Sequence, residues 1–318
     1  MAAKGNVRII YAALFANGAI AVTKFIASFV TGSSAMFAEG VHSVVDTGNQ
    51  GLLLLGIARS KRPATPEHPF GHGKDLYFWA FMVAIIIFGA GAGFAAYEGV
   101  EKLLHPAEVE GSWINYAVLG AAMVFETIAL TMAFRAFQAA REGRGMLETV
   151  RQSKDPTLFT VLFEDAAAML GLVIAFFGIL ATDLTGDPTW DAVATLAIAA
   201  VLALTAVFLA IETKGLLVGE AAEPGLVRRM REAVLAEPGV RSVNELLTMH
   251  LGPNEILVTL SADFDDTLKG GELEDVVTRL QEKVRTTFPD VKRLFIEAQG
   301  RAAHREQAAA AGDVVAPV

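Results

Sequence analysis

The stretch FAEGVHSVVDTGNQG places His42 and Asp46 four residues apart, with Glu39 before them and Asn49 after. On an α-helix this spacing stacks the side chains along one face. A second stretch, LFEDAAAML, sets Glu164 and Asp165 side by side in an otherwise apolar run. Imidazole nitrogen with carboxylate oxygens is a donor set for divalent zinc, iron, cobalt or manganese. The same groups also suit a proton or other ion relay, or a polar packing pair, and spacing alone leaves all three readings open. Glu126 is a further acid in an apolar run, at an accessory position that could pair with Lys24, pass protons or mark an entry vestibule. In RPATPEHPFGHGKD, His68 and His72 flank a Pro-Phe-Gly turn, where they could take a second metal or simply belong to a shaped loop.

The elements that must hold these residues are membrane-like. The chain has 318 residues, 53% hydrophobic and only 19% charged, whereas soluble domains carry about 25% charge. Six apolar stretches, at 8–30, 34–58, 76–103, 112–139, 157–181 and 189–211, are long enough to cross a bilayer as helices. The first is of span length with Lys24 inside it, so it is expected to be a span and not a signal peptide. An ionisable group at bilayer depth is expensive and generally faces a cavity or a partner. His42, Asp46, Glu126, Glu164 and Asp165 all fall inside these stretches, which is what makes them candidates.

Basic residues gather at Lys4 and Arg8, at Arg59, Lys61, Arg62 and Lys74, and from Arg135 to Lys154. The intervening loops carry Glu108, Glu110, Asp183 and Asp187 instead, so the positive-inside rule predicts cytoplasmic N- and C-termini. Pro156 reads as a first-turn proline, and Asp191 with Trp190 as the cap and interface anchor of the sixth span. The run of Gly89, Gly91 and Gly93 reads as close helix packing. The absence of cysteine excludes disulfides, thiolate metal sites and thiol catalysis, and the net charge of −9 argues against nucleic acid as a partner.

Residues 213–299 read as a charged α+β domain of order αββαβ: helices at 224–236 and 271–286, strands at 241–250, 255–263 and 291–298. Its ordered part has one histidine, His250, and its acids Glu274, Asp275 and Glu297 read as a solvated face. Asp263, Asp265 and Asp266 lack the spacing of a calcium loop. The Ala-rich segment 300–318 is expected to be disordered.

Three segments, EGVHSVVDTGNQ, HPFGHGKD, and LFEDAAAMLGLVIA with TGDPTWDAVATL, resemble the cation diffusion facilitator family of divalent-metal/proton antiporters, nearest its zinc transporter-9-like branch and the bacterial relatives of that branch. The resemblance runs from about residue 8 to 298. It implies a multi-pass α-helical membrane protein with six transmembrane helices at 1–212, followed by a small ferredoxin-like cytoplasmic dimerisation domain. It implies a homodimer in a bacterial inner membrane, not an enzyme, that exchanges cytoplasmic divalent metal for protons. Zinc is the first expectation, iron(II) or manganese(II) the alternative, and cadmium or cobalt are surrogates. His42, Asp46 and Asp165 would be the metal ligands, with Glu164 as a fourth. Val161 stands where the family commonly has another ligand, four residues before Asp165. Glu39, Asn49, Glu126, His68 and His72 are accessory positions. A membrane-bound metal sensor that does not transport is the alternative of a different class.

Overall fold

A computed structural model describes residues 2–31, 34–105, 112–141 and 143–311 of the protein. The acidic loop residues Glu108 and Glu110, and the tail 312–318, lie outside them. The chain divides into two units, Met1–Arg62 with Lys74–Leu217, and Pro63–Gly73 with Val218–Val318.

The first unit consists of long helical rods at the expected places. They are α1 (Ala2–Thr31), α2 (Ser34–Ser60), α3 (Asp75–Ile86) continued by α4 (Phe94–Leu104), α5 (Ser112–Ala140), α7 (Pro156–Thr185) and α8 (Thr189–Val218), with a short α6 (Met146–Gln152) in a connection. Among the described residues, Asp75–Leu104, Asn115–Ala140, Pro156–Thr185 and Thr189–Val218 are each long and apolar enough to cross a membrane. Ile10–Ile26 is a shorter apolar segment, and α2 has the length but carries Asp46, Asn49 and Gln50. Large side chains such as Leu53, Tyr77, Phe137, Phe159 and Leu209 form the core between the rods.

Local chemistry explains the ends. Pro156 occupies the first turn of α7, where its missing N–H costs nothing, and Asp155 accepts a hydrogen bond from Thr157 N at 3.1 Å. Gly186 ends α7 with φ 71°, a conformation that favours glycine. The Thr189 amide at the start of α8 donates to Asp187 at 2.9 Å. Asp191, expected as the cap, instead binds Lys102 at 3.0 Å, and Lys102 also binds Glu98 at 3.1 Å. This carboxylate, in the first turn of α8, finds a neighbouring cation within reach and takes it. Helix α8 continues to Val218, past the expected boundary at 212, because GLLV is apolar and extends the helix.

The Gly-Ala run packs in part, with Gly91 and Ala92 buried. Ile87–Gly93 is a π-helical segment between α3 and α4, and a Cβ added at Gly89 would meet nothing within 4 Å. Single glycines make the tightest helix contacts. A Cβ at Gly178 would lie 2.4 Å from Ala194 Cβ, and one at Gly99 would lie 2.8 Å from the Leu196 side chain.

The second unit has α9 (Pro224–Leu235), β1 (Val240–Gly252), β2 (Glu255–Phe264), α10 (Gly270–Thr287) and β3 (Val291–Ala298). β1 and β2 form an antiparallel hairpin, and β3 returns through α10 to lie parallel to β2, giving the order β1-β2-β3. The expected αββαβ sequence of elements is present. Met230, Val234, Val276, Leu280 and Val284 of the helices pack on Ile256, Val258, Leu260 and Leu294 of the sheet. Leu247 and Phe295, both paired to Thr259, remain exposed in one row across the sheet. Asp265 and Asp266 are engaged by Arg241, and Asp265 also accepts from Thr267 N at 3.0 Å, a surface network with no calcium-loop geometry.

The expectation of disorder from residue 300 is corrected over α11 (Arg301–Ala311), a helix. Alanine has the highest helix propensity, and His304 Nδ1, 2.9 Å from Gln299 Oε1, ties the first turn to the end of β3. The segment Pro63–Gly73, between α2 and α3 in sequence, is built into this unit: a Cβ at Gly73 would lie 2.3 Å from the Leu251 carbonyl oxygen.

Glu237, 10% exposed, accepts from Arg279 Nε at 3.0 Å and Lys283 Nζ at 3.2 Å, stitching the end of α9 to α10. Burial pushes its carboxyl up, but the hydrogen bonds and charges of Arg279 and Lys283 outweigh this and hold it below the usual carboxylate range. The folded value is therefore below the unfolded one. The resulting stabilisation is present above the ordinary carboxylate range and is lost as pH falls through the folded value. Glu237→Gln is expected to destabilise this unit by about 1 kcal/mol at neutral pH, since both cations are partly exposed. Hydrogen exchange of the α10 amides checks it: the wild type should approach the variant on acidification, and the variant should lose that part of the pH dependence.

Candidate functional site

Helix α2 carries Ser43, Asp46, Asn49 and Gln50 within two turns, in a region where lipid or packed helix would favour apolar residues. Ser43, Asn49 and Gln50 each bond to another helix. Lys24 of α1 donates to Ser43 Oγ at 3.1 Å, and Asn17 of α1 donates to Gln50 Oε1 at 3.3 Å. These bonds join α1 to α2. On the other side, Asn49 Nδ2 donates to Glu164 Oε1 at 3.0 Å and joins α2 to α7.

Between α2, α5, α7 and α8 lies a small cavity of ≈ 20 Å³. Its polar lining is Asn17, Asp46, Asn49, Glu126, Glu164, Asp165 and Thr205. Ile87 and Gly91 of the π-helical segment form part of the wall, in keeping with the frequent occurrence of such segments at functional sites. Asp165 is 1% exposed, Asn49 1%, Glu126 3% and Glu164 8%. Among the described residues, Asn49 Oδ1, Glu126 Oε1, Glu164 Oε2 and Asp165 Oδ2 have no hydrogen-bond partner. Buried polar atoms are nearly always paired, and leaving carboxylate oxygens unpaired at bilayer depth is costly. Acceptor oxygens without donors, facing one small cavity, are suited to holding a cation or its water.

The structure thus brings Asp46, Asn49, Glu126, Glu164 and Asp165 to one place. Glu39 and His42 lie on the described backbone of α2, but their side chains are outside the described residues. Among the described residues no three histidine or carboxylate side chains stand close enough together to hold one metal ion. Val161, four residues before Asp165, is 2% exposed in the apolar core, while the Thr160 hydroxyl beside it is buried with no hydrogen-bond partner among the described residues. His68 and His72 are not at this cavity; they face each other in the 63–73 segment of the second unit, ring centroids 4.5 Å apart. Asn17, Gln50 and Thr205 did not emerge from motif spacing. Single polar residues in apolar runs were the only signal for them.

These features define a multi-pass α-helical membrane protein with a small α+β domain, whose buried polar groups converge on a cavity between the helices. Residues 10–218 match the cation efflux transmembrane domain, and residues 222–298 match the cytoplasmic domain of cation efflux proteins. The chain belongs to the cation efflux family, a family of transport proteins and not of enzymes. It is 32% identical over 302 residues to the mitochondrial proton-coupled zinc antiporter SLC30A9 of Homo sapiens, covering 93% of this chain and 53% of that protein. The chain therefore spans about half the length of that relative. It is 24% identical to the manganese efflux system protein MneP of Bacillus subtilis, covering 89% of this chain and 92% of that protein. It is also 24% identical to the cation-efflux pump FieF of Cronobacter sakazakii, covering 84% of each. Among solved structures, the nickel form of the MamM CTD covers 25% of this chain and 99% of its own at 22% identity, with a TM-score of 0.24.

Proposed function

We propose that the protein exports divalent transition-metal cations from the cytoplasm in exchange for protons, with zinc as the first substrate. The observation that carries this reading is the cavity lined by Asp46, Asn49, Glu126, Glu164 and Asp165, with an oxygen on each of the last four that has no hydrogen-bond partner among the described residues. The relatives named for zinc antiport and manganese efflux support it. In this reading α1, α2, α3 with α4, α5, α7 and α8 are six spans, both termini are cytoplasmic, and the membrane is a bacterial inner membrane. His42, Asp46 and Asp165 hold the ion, with Glu164 as a fourth ligand.

Metal ligation requires deprotonated carboxylates and neutral imidazole, so cation and protons compete for the same groups. Metal entering from the cytoplasm displaces the protons. The helices then rearrange to open the site outward, where protons return and release the metal. The Asn49–Glu164 hydrogen bond fixes one oxygen of Glu164 and leaves the other for the ion. The second unit acts as a ferredoxin-like dimerisation domain, and the exposed row of Leu247 and Phe295 is a surface that a second copy would cover. A sensor that does not transport is disfavoured. Within Val218–Val318, His250 is buried with Nδ1 3.2 Å from the Gly252 carbonyl oxygen and His304 is bonded to Gln299, while the other two histidines of the second unit, His68 and His72, face each other in the 63–73 segment.

Iron(II) or manganese(II) is the second reading, favoured by the valine at position 161 and the excess of carboxylate over imidazole around the cavity. A competitive uptake panel of zinc, iron, manganese, cadmium and cobalt across a fixed pH gradient tests both. Saturable zinc uptake that iron and manganese compete with only weakly is the expected result. Iron or manganese uptake without zinc uptake would replace the first reading with the second.

A further inference from the structure

Glu126 stands apart from the ligands that the α2 and α7 motifs suggest, because it belongs to neither helix. It lies midway along α5, is 3% exposed, and its Oε1 has no hydrogen-bond partner among the described residues. It lines the cavity that Asp46, Asn49, Glu164 and Asp165 also line. A buried carboxylate whose only service is packing would be replaced at no loss by an apolar side chain of similar volume. What distinguishes Glu126 from such a residue is that its free oxygen shares a cavity with three others, on Asn49, Glu164 and Asp165. All four are oxygen acceptors, a set that fits a cation and repels an anion. An oxygen-only set also favours harder divalent ions such as manganese, whereas an imidazole-containing set favours zinc.

We propose that Glu126 is a cargo ligand from a third helix, contacting the transported cation directly and setting how well manganese-like ions compete with zinc. This rests on the reading of the cavity as the transport site. Glu126 reaches the ion from α5 across the cavity that Asp46, Glu164 and Asp165 line from α2 and α7. Because α5 and α7 pack against each other, a carboxylate on each provides a route by which ion binding draws the two helices together.

The test uses the full chain in lipid nanodiscs and proteoliposomes, as wild type, Glu126→Gln, Glu126→Asp and Asp165→Asn. Manganese and zinc affinities, uptake KM for each, and the visible spectrum of bound cobalt are measured. Glu126→Gln is expected to weaken manganese binding by at least about 10-fold, the lower end of what losing even an outer partner costs a metal site. Zinc binding should weaken less, so that the manganese-to-zinc ratio falls. The cobalt spectrum should change, and Glu126→Asp should recover most of the ratio. If Glu126→Gln does not fold, Glu126→Asp must still shift the manganese KM in the same direction. An unchanged ratio and cobalt spectrum in the Glu126 variants, with uptake lost in Asp165→Asn, would overturn the role of Glu126 and leave the transport reading standing. Wild-type protein that moves no divalent cation would overturn both.

Discussion

Asp165→Asn is expected to reduce metal uptake by at least about 100-fold while leaving the protein as resistant to thermal unfolding as the wild type, or more so. The two halves of this expectation have one cause. Asp165 is 1% exposed, and its Oδ2 has no hydrogen-bond partner among the described residues. As a charge it is a burden on the folded state, because a buried carboxylate loses its water without gaining a donor. The amide keeps the shape and removes that charge, so stability is not expected to fall. A cation site, by contrast, loses both a ligand and a negative charge. Were Asp165 a structural partner, the same change would lower stability and leave the flux of the surviving protein near normal. Unfolding temperature and uptake, measured on the same preparation, separate the two.

Gly178→Val is expected to give the opposite pattern, with stability and uptake falling together. A Cβ at Gly178 would stand 2.4 Å from Ala194 Cβ and 3.4 Å from the Trp190 carbonyl oxygen, so α7 and α8 touch almost backbone to backbone. A branched side chain must push the helices apart, at about 1–3 kcal/mol for overpacking of this kind. Helix α7 carries Glu164 and Asp165, and α8 contributes Leu202 and Thr205 to the cavity wall, so the displacement reaches the site. Gly120→Ala on α5 is the control, since a Cβ there meets nothing within 4 Å and should be tolerated. A Gly178→Val protein with wild-type unfolding temperature and uptake would show that the α7–α8 contact is looser than described.

Much of this was legible in the sequence, and the parts that were not have physical reasons. Helix positions followed from apolar runs, because a bilayer-spanning helix must be apolar over nearly its whole length. The strands β1, β2 and β3 and helix α10 followed from periodicity and began within a residue of their expected starts. Asp46, Glu164 and Asp165 were legible because charge in an apolar run is conspicuous, and they do line one cavity. The glycines divide: Gly91 is buried, whereas a Cβ at Gly89 would meet nothing within 4 Å. Which glycine meets a neighbour depends on tertiary placement, and Gly178 and Gly99 do so outside any glycine-rich run. The π-helical segment has no side-chain period that would reveal it. Gly73 was read as part of a loop, whereas its lack of a side chain admits the Leu251 carbonyl oxygen, a contact between residues far apart in the chain. Asp191 was assigned by its position near a helix start, and a cation on another helix claimed it.

The central claim is that cation and protons compete for one set of carboxylates and move in opposite directions. Proton movement driven by an imposed zinc gradient, in proteoliposomes holding a pH indicator and no other ion pathway, tests it most directly. Saturable proton flux opposite to zinc is expected in the wild type and is expected to be absent in Asp165→Asn. Zinc uptake without proton movement, or proton flux that survives in Asp165→Asn, would contradict it.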